Sequence, residues 1–196
     1  ELSSGNTQGI FQLESKGIQN LIRKVKPSNL EEIIAVIALY RPGPLRGGMD
    51  KRFIEHKCNP EQIPYDDDRL RPILESTYGC VIYQEQVMKI AEVLGNFSLN
   101  EADELRRVMA KKKTDLLEPL RKKFVNGCIR NGIQKKTANK IFSELKGFAE
   151  YGFNKSHSAA YGQISLWMAW LKNHFYLEYR TMLLNFATSA DVRYKI

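Results

Sequence analysis

Cysteine is scarce in this chain of 196 residues, which has three, at positions 58, 80 and 128. They are far apart, odd in number and never in a C-x-x-C pair, so neither a disulfide scaffold nor a structural zinc site is expected. A reducing cytoplasm is therefore the expected compartment. No apolar run approaches the roughly 20 residues of a membrane-spanning helix, and the first residues do not resemble a signal peptide, so no membrane association is expected.

Strand-like alternation is nearly absent as well. Residues 81–83 (Val-Ile-Tyr) are the one short candidate, and there is no internal repeat or low-complexity tract. Apolar residues instead recur at helical spacing along most of the chain. The sequence therefore predicts an all-α, multi-helix fold, interrupted by one polar, turn-rich and proline-containing stretch at about residues 46–76. The helix over residues 31–40 is apolar on nearly every side and should be buried.

Several short patterns predict where helices begin and end. Residues 28–31 and 98–101 both have the Ser-x-x-Glu pattern of a capping box, in which each side chain accepts a hydrogen bond from a first-turn N–H. Thr114 is expected to cap the next helix, with Pro119 in its first turn or at a kink. Glycines predict two helix ends, at Gly95 and at Asn131–Gly132.

The charge balance is strongly basic, with 30 Lys and Arg against 22 Asp and Glu and a net charge of +8, which favours a polyanionic partner. The densest basic stretch is LRRVMAKKK, residues 105–113. On a helix, Asp103, Arg106, Arg107 and Lys111 share the polar face, and the helix should end near residue 111 because Lys112 would otherwise fall on the apolar side.

Forked arginine donors beside lysine point charges suit several phosphate groups held side by side, as in a nucleoside triphosphate. A DNA backbone would accept the same groups, and both ligands stay open at this point. Lysines at a helix C-terminus also complement the helix dipole without any ligand.

Two other polar clusters are weaker candidates. Adjacent carboxylates in the run Asp66–Asp68 point in alternating directions and converge poorly on one metal ion, so a solvated loop is the better interpretation. In YGFNKSH, residues 151–157, Ser156 or Ser158 could cap the following helix, or the helix N-terminus could bind an anion beside Lys155 and His157.

Five stretches, in this order, resemble successive motifs of the bacterial DNA polymerase III alpha subunit, a C-family replicative polymerase. They are GIFQLESKGIQNLI (9–22), IALYRPGPL (37–45), TYGCVIYQEQVMKIA (77–91), ADELRRVMAKKK (102–113) and FAEYGFNKSHSAAY (148–161). The resemblance implies helices at the palm-to-fingers junction over residues 1–45, a helical fingers domain over residues 46–187, and an unassigned tail over residues 188–196.

The resemblance also implies a site. It makes Arg106 and Arg107 ligands of the incoming dNTP triphosphate. It places six further residues along the cleft for nucleotide and primer-template DNA: Lys111, Lys112, Lys113, Asn154, Lys155 and His157. The catalytic aspartates, which hold Mg²⁺, would lie outside this chain, so no catalytic or metal-binding residue is expected in it and the chain alone should be inactive.

The sequence is thus expected to be part of a longer protein. Its partners would be the rest of the alpha subunit and, through regions absent here, a sliding clamp and other replicase subunits. A non-catalytic basic helical module that binds DNA remains the alternative function. A metal-dependent hydrolase that uses Asp66–Asp68 is a third, weaker hypothesis.

Overall fold

Helices dominate the computed structural model, which describes residues 2–111, 114–149 and 152–187, with the backbone alone at residues 114, 115 and 149. These residues form eleven α-helices and no β-strand, and a single parallel bridge joins Tyr83 to Phe153. The predicted all-α fold is confirmed. None of the helices described is both long and apolar enough to cross a membrane.

The described residues group into two compact units: those within 1–40 and 156–196 form the first unit, and those within 41–155 form the second. The first unit therefore groups the residues after 155 with the start of the chain, whereas the sequence analysis placed residues 46–187 in one segment. The names given to those segments stay a prediction, and the predicted tail, residues 188–196, lies outside the described residues.

The first unit contains helices α1 (Lys16–Val25), α2 (Leu30–Leu39) and α11 (Tyr176–Phe186), with all but the first residue of α10 (Lys155–His174). In α2 every residue from Glu32 to Leu39 is buried, as its uniformly apolar sequence predicts. Helix α1 is amphipathic, and it buries the four apolar residues that recur at i, i+3, i+4 and i+7: Ile18, Leu21, Ile22 and Val25.

The cap of α2 lies one residue after the predicted position. Asn29, not Ser28, is the N-cap, and its Oδ1 accepts from the backbone N of Glu32 at 3.0 Å. The Glu32 carboxylate in turn accepts from the backbone N of Ser28 at 2.6 Å. Both registers pair a small polar residue with a glutamate three positions later, and only the folded chain shows which one forms.

The N-terminal loop of the first unit is fixed to its later helices. The Lys172 side chain, 1% exposed, donates to the carbonyl oxygens of Asn6 at 2.9 Å and Gln8 at 3.0 Å. Ser165 donates to the Phe11 carbonyl at 2.8 Å. These hydrogen bonds satisfy backbone groups of a loop that has little regular structure of its own.

The second unit contains helices α3 (Pro42–Arg46), α4 (Met49–Cys58), α5 (Arg71–Leu74), α6 (Gln84–Gly95), α7 (Leu99–Ala110), α8 (Thr114–Arg130) and α9 (Lys135–Ala149). Its main core is made by one apolar face from each of the four long helices, α6 to α9. The α7 face is the one predicted from the helical wheel, and its buried residues are Ala102, Leu105, Val108 and Met109.

Helix α4 lies within the stretch over residues 46–76 that was predicted to be polar and turn-rich, and its position was not predicted. Phe53 is the one residue of α4 that is fully buried, and its ring packs edge-on against Tyr78 with the centroids 5.1 Å apart. A helix with so little apolar surface gives a weak periodic signal, so its position is set by this tertiary contact.

Most predicted helix ends are confirmed. Ser98 and Glu101 form the predicted capping box, and α8 ends before Gly132, which has the left-handed φ of +81°. Helix α6 ends at Gly95, although the left-handed residue is the next one, Asn96. Thr114 is the first residue of α8 and not its cap, and Pro119 lies inside that helix.

Candidate phosphate-binding site

The paired arginines of α7 share one carboxylate. Asp103, one turn earlier on the same helix, accepts from Arg106 through Oδ1, at 2.9 Å from Nε and 2.7 Å from Nη2. Its other oxygen, Oδ2, lies 2.5 Å from Nη2 of Arg107. The hydrogen bond from Arg106 is the main reason that the pKa of the Asp103 carboxyl is lowered from its ordinary value. Asp103 therefore holds the two guanidinium groups side by side.

Arg106 also reaches the first residue of α6. Its Nη1 donates to Oε1 of Gln84 at 3.1 Å, and Nε2 of Gln84 donates to the carbonyl oxygen of Gly152 at 2.9 Å. The backbone N of Gln84 donates to the Phe153 carbonyl, also at 2.9 Å. One glutamine thus joins the arginine helix to a segment 68 residues away along the chain.

The next residue, Glu85, accounts for two more of the predicted site residues. Its Oε1 accepts from the side chain of Asn154 at 2.9 Å, and its two carboxylate oxygens lie 3.2 and 3.1 Å from the backbone N of Lys155. Since Lys155 is the first residue of α10, the predicted caps Ser156 and Ser158 are wrong, because both lie inside the helix. The anion at this helix N-terminus is the chain's own Glu85.

Gln86, two residues after Gln84, fixes the backbone just before α6. It is 7% exposed, and its Oε1 accepts from the backbone N of Ile82 at 2.8 Å and of Tyr83 at 2.9 Å. Its Nε2 donates to the Thr77 hydroxyl at 2.8 Å. The sequence analysis assigned no role to residues 84–86. The partners of Gln84 and Glu85 are distant in the chain, whereas Gln86 bonds to N–H groups three and four residues earlier.

The remaining predicted residues are placed as follows. Lys111 is exposed and forms the C-cap of α7, which ends at Ala110 as predicted. Lys112 and Lys113 lie outside the described residues. The ring of His157 packs edge-on against Tyr161 at 4.3 Å between centroids, within the first unit. The described structure therefore brings Arg106, Asn154 and Lys155 together around residues 84 and 85. Arg107 is joined to Arg106 through Asp103, and His157 belongs to the other unit.

A further arginine lies near residues 152–155. The guanidinium carbon of Arg41 is 3.6 Å from the centroid of the Phe153 ring, which is the geometry of a cation–π contact. Burial lowers the pKa of Arg41 from its ordinary value. The sequence analysis assigned no role to Arg41, because an arginine next to prolines at a helix start gives no sign of an aromatic partner so distant in the chain.

The acidic run at residues 66–68 does not suit a metal ion. Asp66 forms an ion pair with Lys140 at 2.6 Å, and Asp67 forms one with Arg69 at 2.7 Å. Asp67 also caps the following turn by accepting from the backbone N of Arg69 at 3.0 Å. No group of three or more His, Cys, Asp or Glu side chains that could hold a metal ion is present among the residues described.

Comparison with known families decides where this arrangement belongs. The sequence model for the bacterial DNA polymerase III alpha subunit finger domain matches residues 1–132. The chain belongs to this finger-domain family. The predicted division into a junction over residues 1–45 and a fingers domain from residue 46 stays a prediction. The family predicted from the five motifs is confirmed.

Curated proteins similar to this chain are named DNA polymerase III subunit alpha. The chain is 44% identical over 178 residues to the DNA polymerase III subunit alpha of Aquifex aeolicus, with 91% of this chain and 15% of the relative covered. It is 46% identical over 188 residues to that of Escherichia coli K12, with 93% and 16% covered. It is 49% identical over 179 residues to that of Pseudomonas aeruginosa, with 89% and 15% covered. The chain thus spans about a sixth of the length of these relatives.

Proposed function

We propose that this chain is the fingers segment of a template-directed, DNA-dependent DNA polymerase that acts in DNA replication. In this role it binds the triphosphate of the incoming dNTP and the primer-template DNA. The observation that supports the proposal best is the pair of guanidinium groups of Arg106 and Arg107, aligned by the single carboxylate of Asp103. Two cations share one anion, so the cluster keeps a net positive charge for a phosphate ligand.

The two arginines contribute differently in this proposal. The Arg107 side chain is 66% exposed and is therefore the one available for a direct contact with a phosphate oxygen. The Arg106 side chain is 27% exposed and already contacts Asp103 and Gln84. A guanidinium has more N–H donors than these contacts use, so Arg106 can add a phosphate contact without releasing its partners.

The lysines at residues 111–113 and the polar residues Asn154, Lys155 and His157 are proposed to line the cleft for nucleotide and DNA. Support is strongest for Asn154 and Lys155, because Glu85 fixes them next to Gln84, the partner of Arg106. The Nζ of Lys155 lies 5.5 Å from the centroid of the Tyr83 ring.

Catalysis is assigned to polypeptide outside this chain. The described residues offer no suitable group of carboxylates, so we propose that Mg²⁺ and the catalytic aspartates are supplied by the rest of the alpha subunit. The isolated chain is then expected not to extend a primer. The remaining partners would be other replicase subunits such as a sliding clamp. Because all three cysteines are unpaired thiols, we infer a cytoplasmic location.

The alternative function, a basic helical module that binds DNA without nucleotide chemistry, is favoured by the net charge of +8 and by the exposure of Arg107. It differs in one measurable respect. If the arginines bind the DNA backbone, removing one lowers the affinity for DNA of any sequence. If they bind the triphosphate, removing one leaves the DNA affinity nearly unchanged.

The test is single-nucleotide incorporation by the alpha subunit that contains this segment, comparing the parent with Arg106→Ala and Arg107→Ala. Loss of one charge-assisted phosphate contact should lower kcat/KM for the nucleotide by about 10- to 150-fold. Equilibrium binding of primer-template DNA is measured in parallel. If DNA affinity falls while nucleotide use is preserved, the arginines bind the DNA backbone and the assignment of the triphosphate is overturned.

A further inference from the structure

We propose that Asp103 is a positioning residue for the incoming nucleotide, because it holds Arg106 and Arg107 in the arrangement that receives the triphosphate. The inference rests on the proposed function and goes beyond it, since the resemblance assigned no role to Asp103. Asp103 does not touch the nucleotide in this proposal. It acts through the two side chains that do.

The geometry supports a positioning role because each carboxylate oxygen serves a different arginine. Oδ1 lies 2.7 Å from Nη2 of Arg106, and Oδ2 lies 2.5 Å from Nη2 of Arg107. Adjacent residues on a helix point about 100° apart, so two neighbouring arginines do not come together unless something draws their ends to one point. A carboxylate one turn earlier on the same helix does so without requiring any other element to move.

Arg107 depends on this carboxylate more than Arg106 does. Arg106 is also restrained by Gln84, which is itself fixed by its hydrogen bonds to Gly152 and Phe153. Among the contacts described for Arg107, by contrast, the ion pair with Asp103 is the one that restrains its guanidinium. A long side chain that is ordered before the ligand arrives loses less conformational entropy on binding.

Charge and position predict effects of opposite sign, which makes the proposal testable. Asp103 places a negative charge beside a site for an anionic ligand, so its Coulomb effect opposes nucleotide binding. If that effect dominated, neutralising Asp103 would tighten binding and lower KM for the dNTP. If positioning dominates, the same change releases the arginines and raises KM.

The experiment measures single-nucleotide incorporation by the alpha subunit that contains this segment, with Asp103→Asn as the main variant. KM for the dNTP is expected to rise about tenfold, with a smaller change in kcat and no loss of DNA affinity. Asp103→Glu keeps a carboxylate within reach of both arginines, so its KM for the dNTP should stay close to the parent value. In an Arg107→Ala background, Asp103→Asn should change KM much less, because its main dependent residue is gone.

The matched control is Glu118→Gln on α8. Glu118 accepts two hydrogen bonds from Arg121, three residues later, at 2.9 and 2.7 Å, and its described contacts do not include Arg106 or Arg107. This variant should leave KM and kcat unchanged. If Asp103→Asn lowers KM, leaves it unchanged, or acts no differently from Glu118→Gln, the positioning role is overturned.

The outcome also separates this inference from the proposed function. If Arg106→Ala and Arg107→Ala impair nucleotide use while Asp103→Asn does not, the fingers proposal stands and the role of Asp103 is rejected. If the arginine variants themselves have no effect on nucleotide use, the proposed function fails first.

Discussion

Two arginines of the second unit make nearly the same local contacts, yet their side chains connect to different parts of the molecule. On α7, Arg106 donates twice to the acid three residues earlier and once to the amide oxygen of Gln84. On α8, Arg121 donates twice to Glu118 and once, at 2.5 Å, to the amide oxygen of Asn139. We call the contacts of Arg106 with Asp103 and Gln84 the α7 fork, and those of Arg121 with Glu118 and Asn139 the α8 fork.

The amide nitrogens of Asn139 and Gln84 donate to different parts of the chain. The amide nitrogen of Asn139 donates to the Lys135 carbonyl, four residues earlier in the same helix, so the α8 fork ends within α9. The amide nitrogen of Gln84 donates to Gly152, in the segment that leads into α10. The α7 fork also includes a second cation, Arg107. An acid and an arginine at helical spacing therefore say little about function until their other partners are known.

The largest effect on stability is expected at Gln86, which fixes the backbone just before Gln84 of the α7 fork and has no counterpart beside the α8 fork. Gln86→Ala would leave the buried N–H groups of Ile82 and Tyr83 without their acceptor. The free energy of unfolding should fall by about 2–4 kcal/mol, measured by urea denaturation. The exposed Gln134 is the matched control, and Gln134→Ala should change it by less than about 0.5 kcal/mol. Equal effects at the two positions would contradict the role given to Gln86.

A smaller effect on stability should distinguish the two amide side chains, Gln84 and Asn139. Gln84→Ala removes the link from Arg106 to Gly152 and should destabilise the chain by about 1–2 kcal/mol, with amide exchange in residues 152–155 accelerated about tenfold. Asn139→Ala removes the corresponding contact of the α8 fork and should leave exchange there unchanged. Hydrogen–deuterium exchange with mass spectrometry measures both. If both variants accelerated amide exchange in residues 152–155, the α7 fork would not be the one that connects to this segment.

The smallest expected effect is on the pKa values of the two acids, Asp103 and Glu118. The arginine hydrogen bonds lower the pKa of both Asp103 and Glu118, so the stabilisation from each is present above its unfolded-state pKa, near 4, and is lost as the pH falls through the lower folded value. NMR titration should show that Arg106→Ala leaves part of the lowering at Asp103, because Arg107 still contacts that carboxyl. Arg121→Ala should return Glu118 closer to its ordinary pKa. If Asp103 returned to its ordinary pKa in Arg106→Ala while Glu118 kept a lowered pKa in Arg121→Ala, Arg107 would not hold Asp103.

Local sequence predicted much of the helical framework. The Ser98–Glu101 box and the end of α7 near residue 111 were readable because capping and amphipathic spacing act within a few residues. The same locality explains the errors. Asn29, and not the predicted Ser28, caps α2, because both precede a glutamate by three residues, and α4 buries too little apolar surface to be predicted within the turn-rich stretch.

The site divides in the same way. Asp103 could have been connected to its arginines from sequence, because their spacing of three and four residues places them on one helix face. The partners of Gln84 and Glu85 could not, because those hydrogen bonds join residues 68 to 70 positions apart. The mistaken serine caps of α10 have the same origin, since the group at that helix N-terminus comes from α6.

By itself, the sequence determined the all-α class, the family through five motifs in order, and the polar face that carries Arg106 and Arg107. Periodicity, capping and charge are properties of neighbouring residues, so they survive without knowledge of the fold. The tertiary structure alone decided that Gln84 and Glu85 join the arginine helix to residues 152–155. A hydrogen bond between distant residues depends on how the intervening helices pack, and no local pattern records that.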